Sequence, residues 1–108
     1  MDCSERIGHV VDALPDTRMG RHVAGQLVRC GTSFGPNYEE GRAAESRRDF
    51  IHKLRISLKE LRETRYWLRF IVRAKLLPGS RMEDLIQEAL ELVRIVAKSI
   101  STAEDGKD

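Results

Sequence analysis

Arg55, Lys59, Arg62, Arg69 and Arg73 recur three, four or seven residues apart, with Tyr66 among them. On a helix that advances about 100° per residue, this spacing gathers the side chains into one line of cations. Such a line suits the phosphate backbone of RNA or DNA, and the tyrosine within it can stack on a base. It can equally be a solvated face, as runs of charge usually are, or pair with acidic groups such as Glu88 and Glu91. No short recognition helix or metal-stabilised finger accompanies it, so any nucleic-acid contact through this line reads charge and not base sequence.

Other reactive side chains are sparse. Di-metal sites in helical bundles need Glu residues and Glu-x-x-His pairs from several helices, and only Asp49 with His52 approximates one pair. His9 and His22 stand isolated in the sequence. Cys3 and Cys30 are the only thiols, too few for a disulfide framework or a zinc site, and are expected free with Cys30 in the core. Neither a phosphate-cradling glycine loop nor a Cys-His nucleophile pattern is present. The expectation is a non-enzymatic protein with no catalytic residue, no metal and no cofactor.

The elements that must hold the cationic line follow from punctuation and periodicity. Helices are expected over about 4–14, 17–44 with a kink near Pro36, 46–77 and 81–102. Asp2 or Ser4 caps the first, Asp16 the second, and Ser80 with Glu83 forms a capping-box pattern for the last. Pro36 cannot donate a backbone hydrogen bond, so it bends or interrupts the second helix, with Asn37 and Glu39 or Glu40 satisfying groups near the bend. The third segment has no internal Gly or Pro and reads as one rod closed by "LPGS"; the tail "TAEDGKD" is expected to fray. Without strand-like alternation, the fold class is all-α: a single-domain antiparallel up-down four-helix bundle with a short first helix and a kinked second helix.

Charge is unevenly placed along that order. Residues 46–77 hold ten basic and three acidic side chains, a net of +7, whereas the whole 108-residue chain is only +2. No stretch approaches the roughly 18 apolar residues of a membrane span, and the acidic, polar opening "MDCSERIGHV" is unlike a signal peptide, so a cytoplasmic protein is expected.

A helical wheel of the third segment groups Phe50, Ile51, Leu54, Leu58, Leu61, Leu68 and Val72 as a core stripe, with Arg65 inside it. Arg65 then needs a buried acceptor, for which Glu39, Glu40 and Glu45 are candidates. Ile56, Trp67, Phe70 and Ala74 fall nearly opposite the stripe. A helix apolar on two sides must be covered on both, either by the rest of its own chain or by a second copy. With only three other helices, one of them short, the expectation is a homo-oligomer.

The run from Ser33 to Leu68 resembles the four-helix bundle proteins related to the 23S ribosomal RNA intervening-sequence protein. The resemblance is carried by Pro36, Asn37 and Tyr38, by the acidic–aromatic pair Asp49 and Phe50, and by Glu63 followed by Tyr66, Trp67 and Leu68. It implies an up-down bundle whose members assemble as homopentameric rings and have no established enzymatic activity. A relative in that family serves as an accessory protein of a diversity-generating retroelement and resembles a basic, nucleic-acid-binding ring. The first helix is shorter here than is usual in the family. Two functions stay open: a self-assembling nucleic-acid-binding protein, whose cationic line lies open, and a purely structural or protein-binding oligomer, whose line is hidden in ion pairs.

Overall fold

Helix nucleation is costly unless the first backbone N–H groups find acceptors, and three of the four helices begin on a side chain that supplies one. The computed structural model describes residues 2–106, which form α1 (Cys3–Ala13), α2 (Arg18–Arg42), α3 (Arg47–Arg73) and α4 (Glu83–Glu104), with a 3₁₀ turn at Gly79–Arg81. Asp2 accepts from the Glu5 N–H, Thr17 from Gly20 and Ser46 from Asp49. The second cap is therefore Thr17 and not Asp16, which pairs with Arg21 at 2.8 Å instead. The Ser80–Glu83 capping box does not form either. Met82, buried in the core, immediately precedes α4, which follows the 3₁₀ turn without a side-chain cap.

Proline inside α2 does not interrupt it, since the helix runs unbroken through Pro36. Side-chain donors supplement the carbonyls around it: Ser33 Oγ donates to Cys30 O at 3.2 Å, Asn37 Nδ2 to Ser33 O at 2.9 Å, and Ser57 Oγ of α3 to Phe34 O at 2.8 Å. The tail is more ordered than expected up to Glu104, the end of α4. Lys107 and Asp108 lie outside the described residues.

α3 stops at Arg73, four residues before the expected end. Lys75 takes a left-handed conformation with φ 57°, and the chain closes as a Schellman motif, with Leu76 N–H donating to Ile71 O at 3.0 Å and Lys75 N–H to Val72 O at 3.1 Å. Leu76, whose N–H closes the motif, is half-buried against the core.

Successive helices run antiparallel. Ile7 of α1 sits on Gly31 of α2 while Pro15 meets Gly20; Gly41 of α2 sits on Leu54 of α3 while His22 meets Trp67; Arg55 of α3 pairs with Glu104 of α4. α1 also reaches α4 through Arg6 and Glu88, at 2.5 Å. The bundle measures 46 × 22 × 20 Å, and 11-residue α1 covers only part of that length.

Along α3 the buried line is Leu54, Ser57, Leu61, Thr64, Leu68 and Ile71. Its alternating spacing of three and four is that of a coiled-coil seam. The stripe read from hydrophobicity is thus rotated: Phe50, Ile51, Leu58 and Val72 are half-buried flanks, and two hydroxyl side chains occupy core positions. Met19 of α2, one helical turn before the buried line of Val23, Leu27 and Cys30, is 48% exposed.

A non-glycine residue in the left-handed region costs roughly 1–2 kcal/mol, partly offset on changing to glycine by the extra freedom of the unfolded chain. Lys75→Gly should therefore raise stability by about 1 kcal/mol, a midpoint increase of roughly 4–8 °C in thermal unfolding. An unchanged or lower midpoint would show that the Lys75 side chain contributes more than its backbone strain costs.

Candidate nucleic-acid interface

The seam fixes which side of α3 faces outward. With Ser57 and Thr64 turned inward, Arg55, Lys59, Arg62, Tyr66, Arg69 and Arg73 lie roughly opposite the seam, and all six are exposed. The structure thus brings the six together on the outer face of α3.

Their electrostatic surroundings differ along the line. Arg55 pairs with Glu104 of α4, both groups well exposed. Lys59, Arg62, Arg69 and Arg73 have no ion-pair partner among the described residues. Glu88 is taken by Arg6; of the two carboxylates in the middle of α3, Glu60 is buried, while Glu63 is half-buried and lines a shallow cavity with Lys59 and Arg62. Arg29 of α2 holds both, Glu60 at 3.0 Å and Glu63 at 2.5 Å, and the Glu63 hydrogen bond raises the Arg29 pKa above its ordinary value. With both carboxylates neutralised from α2, the outer face from Lys59 to Arg73 keeps a net positive charge.

Ile56, Trp67 and Phe70 are half-buried on the flank nearer α2, and Ala74 is exposed at the end of α3. Trp67 joins three rings edge-to-face: His22 at 5.8 Å, Phe70 at 5.5 Å and Tyr66 at 5.0 Å between centroids. Tyr66, Arg69, Phe70, Arg73 and Ala74 line a shallow cavity of about 480 Å³. A wider groove of about 770 Å³ opens between the α2–α3 loop and the last turns of α4, lined by residues including Phe50, Ile95 and Ala103.

Arg65 is half-buried, and its Nε is buried without a hydrogen-bond partner. Its three candidate acceptors are at the wrong end of the bundle. Gly41 packs on Leu54, eleven residues before Arg65, or about 16 Å at 1.5 Å per residue. Glu40 pairs instead with Lys53, at 3.1 Å. Asp49 and His52 are both exposed, and no group of three or more His, Cys, Asp or Glu residues among the described ones is arranged to hold a metal. Both thiols are free and buried. Burial, then the neighbouring Glu88 carboxylate, pushes Cys3 up to about 11, and burial likewise raises Cys30.

Sequence reasoning missed the Arg29–Glu60–Glu63 cluster. A signal was available: Glu60 and Glu63 are three apart, hence on one side of a helix, within an otherwise basic segment.

Fold and surface together define a small all-helical protein whose third helix carries a basic outer face. The family model for the 23S rRNA-intervening sequence protein matches residues 1–98, and the chain belongs to that family. It is also similar to a solved structure from Bacteroides thetaiotaomicron, a protein of unknown function from the S23 ribosomal protein family. That similarity is 33% identity over 90% of each chain, with a TM-score of 0.82. No curated protein matches the chain. Among the described residues, no helix is long and apolar enough to cross a membrane.

Two outcomes follow from this chemistry. Arg29→Ala leaves the largely buried Glu60 beside Glu63 with no counter-charge, so it should lower the urea midpoint more than Arg21→Ala, whose partner Asp16 is 91% exposed at its side chain. Equal losses would mean that the α2–α3 cluster is no stronger than a surface pair. For Cys3, the unfolded thiol ionises near its ordinary 9.0 and the folded one near 11. Its contribution is therefore whole below pH 9 and is lost as pH rises from 9 toward 11. Cys3→Ala should flatten the fall in stability across that window, followed by urea midpoints; identical slopes would refute the assignment.

Proposed function

We propose that this protein is a non-enzymatic, self-assembling helical bundle that forms a homopentameric ring and binds RNA or DNA through the outer face of α3, without sequence preference. The observation that carries the reading is the exposure of Lys59, Arg62, Arg69 and Arg73 with no ion-pair partner among the described residues. Cations held at helical spacing neutralise successive phosphates, and copies around a ring would sum to a far stronger field than one chain with net charge +2. Assembly is supported by the flank of Ile56, Trp67 and Phe70, half-buried within one chain, and by exposed Met19 on α2. The ring and its number of subunits follow the resemblance to the family. A cytoplasmic location fits a protein that meets RNA or DNA, and no catalytic step is assigned.

The Arg55–Glu104 pair favours a second reading, a purely structural or protein-binding oligomer. There, acidic groups of neighbouring subunits would complete along the rest of the line what Glu104 begins.

Gel-shift titrations with RNA and DNA at two salt concentrations, alongside light scattering, separate the two. The proposal expects a particle of five subunits at micromolar concentration and binding that weakens steeply with salt, log K falling against log salt by about 0.7–0.9 per phosphate neutralised. Arg62→Glu combined with Arg69→Glu should abolish binding and leave helix content and particle mass unchanged. A monomer would remove the ring. No binding by the parent protein at low salt, or undiminished binding by the double variant, would leave the structural oligomer.

A further inference from the structure

We infer that the cavity beside Tyr66 is a stacking subsite for one unpaired base, so that the preferred ligand of the α3 face is single-stranded nucleic acid; this deepens, and rests on, the nucleic-acid reading above. Tyr66 is 58% exposed, more than Met19, Val28 or Ile95, the other large apolar side chains that face solvent. Nothing in the core needs it there.

Its ring is nevertheless held in place. Tyr66 meets Trp67 edge-to-face at 5.0 Å and an interplanar angle of 84°, and Trp67 is itself braced by His22 of α2 and by Phe70. An aromatic surface set before the ligand arrives loses little conformational freedom on binding. Around it the polarity suits a nucleotide. Arg69 and Arg73 form the exposed wall of the cavity and have no ion-pair partner among the described residues, while Phe70 and Ala74 form its other, apolar wall, where the flank proposed for assembly begins. Arg62 stands one turn earlier on the same outer face. Cations therefore flank the ring on both sides along the helix axis, as a chain of phosphates passing over it requires.

A duplex could use the cations but not the ring, because its base faces are already stacked on one another and only edges and phosphates remain available. An unpaired base offers its π-face to Tyr66 whatever its identity, which fits a face that reads no sequence.

The test is fluorescence anisotropy with a labelled oligothymidylate, a duplex of equal length and an abasic sugar–phosphate oligomer, each titrated with the parent, Tyr66→Ala and Tyr66→Phe proteins. Tyr66→Ala should weaken oligothymidylate binding by about 5- to 100-fold, with duplex and abasic binding held within about twofold and Tyr66→Phe close to the parent. Light scattering should give all three proteins one particle mass. Unchanged oligothymidylate binding by Tyr66→Ala would overturn the stacking subsite while leaving the charged face intact. A change in particle mass would overturn it by making Tyr66 a contact between copies. If the parent binds none of the three probes at low salt, the reading of the charged face falls, and the subsite with it.

Discussion

A hydroxyl buried between two helices orients this molecule. Ser57 is fully buried, and its Oγ donates to the Phe34 carbonyl of α2 at 2.8 Å. The net gain from such a bond is only about 1 kcal/mol, but leaving the group buried and unpaired costs about 1–3 kcal/mol. The difference matters for the rotation of α3 about its own axis. Turning α3 by one residue, about 100°, would strand that hydroxyl and bring Ile56 or Leu58 to a position where α2 approaches closely. Thr64, two turns on, is also fully buried and meets its own need by donating to Glu60 O at 2.8 Å. Gly41 keeps the two helices near each other beyond Ser57: a Cβ there would lie 2.4 Å from Leu54 Cδ1.

Once that rotation is set, the distribution of charge follows. Glu60 and Glu63 turn toward α2, where Arg29 takes both, and Arg55, Lys59, Arg62, Arg69 and Arg73 turn outward. Arg29 thus neutralises the carboxylates that would otherwise stand beside the outer line. The basic face depends on a contact between α2 and α3 as much as on its own residues. Trp67 occupies the edge between those regions, with His22 on one side and Tyr66 on the other.

Helix number, order and character are legible in the sequence because proline and serine punctuate it and no segment alternates. The six residues of the outer line are legible because helical spacing alone groups them. Their direction is not, since a hydrophobicity wheel gives Ser57 and Thr64 no inward weight and so rotates the stripe toward Leu58 and Val72. Local chemistry misleads in similar ways elsewhere. Asp16 and Thr17 are both good caps, and the choice falls to Thr17, which takes the Gly20 N–H while Asp16 pairs with Arg21. Ser80 and Glu83 match a capping box, yet burial of Met82 sets how α4 begins. Lys75 adopts a conformation usually left to glycine, which no composition rule anticipates. The partner sought for Arg65 failed on register: sequence proximity to the α2–α3 turn does not survive the antiparallel packing of the two helices.

The composition of the outer line bears on what it can do. Four of its five cations are arginines. Lysine would supply the same charge, but its ammonium is a compact, strongly hydrated point, whereas guanidinium is planar, less hydrated and able to grip two phosphate oxygens at once. A merely solvated face gains nothing from that difference. On the proposed reading the planar groups matter twice, because Arg69 and Arg73 share a cavity with Tyr66 and Phe70, where a flat cation and a flat base can both lie against an aromatic ring. The same α2–α3 seam that turns Glu60 and Glu63 inward therefore turns outward not only positive charge but surfaces suited to stacking.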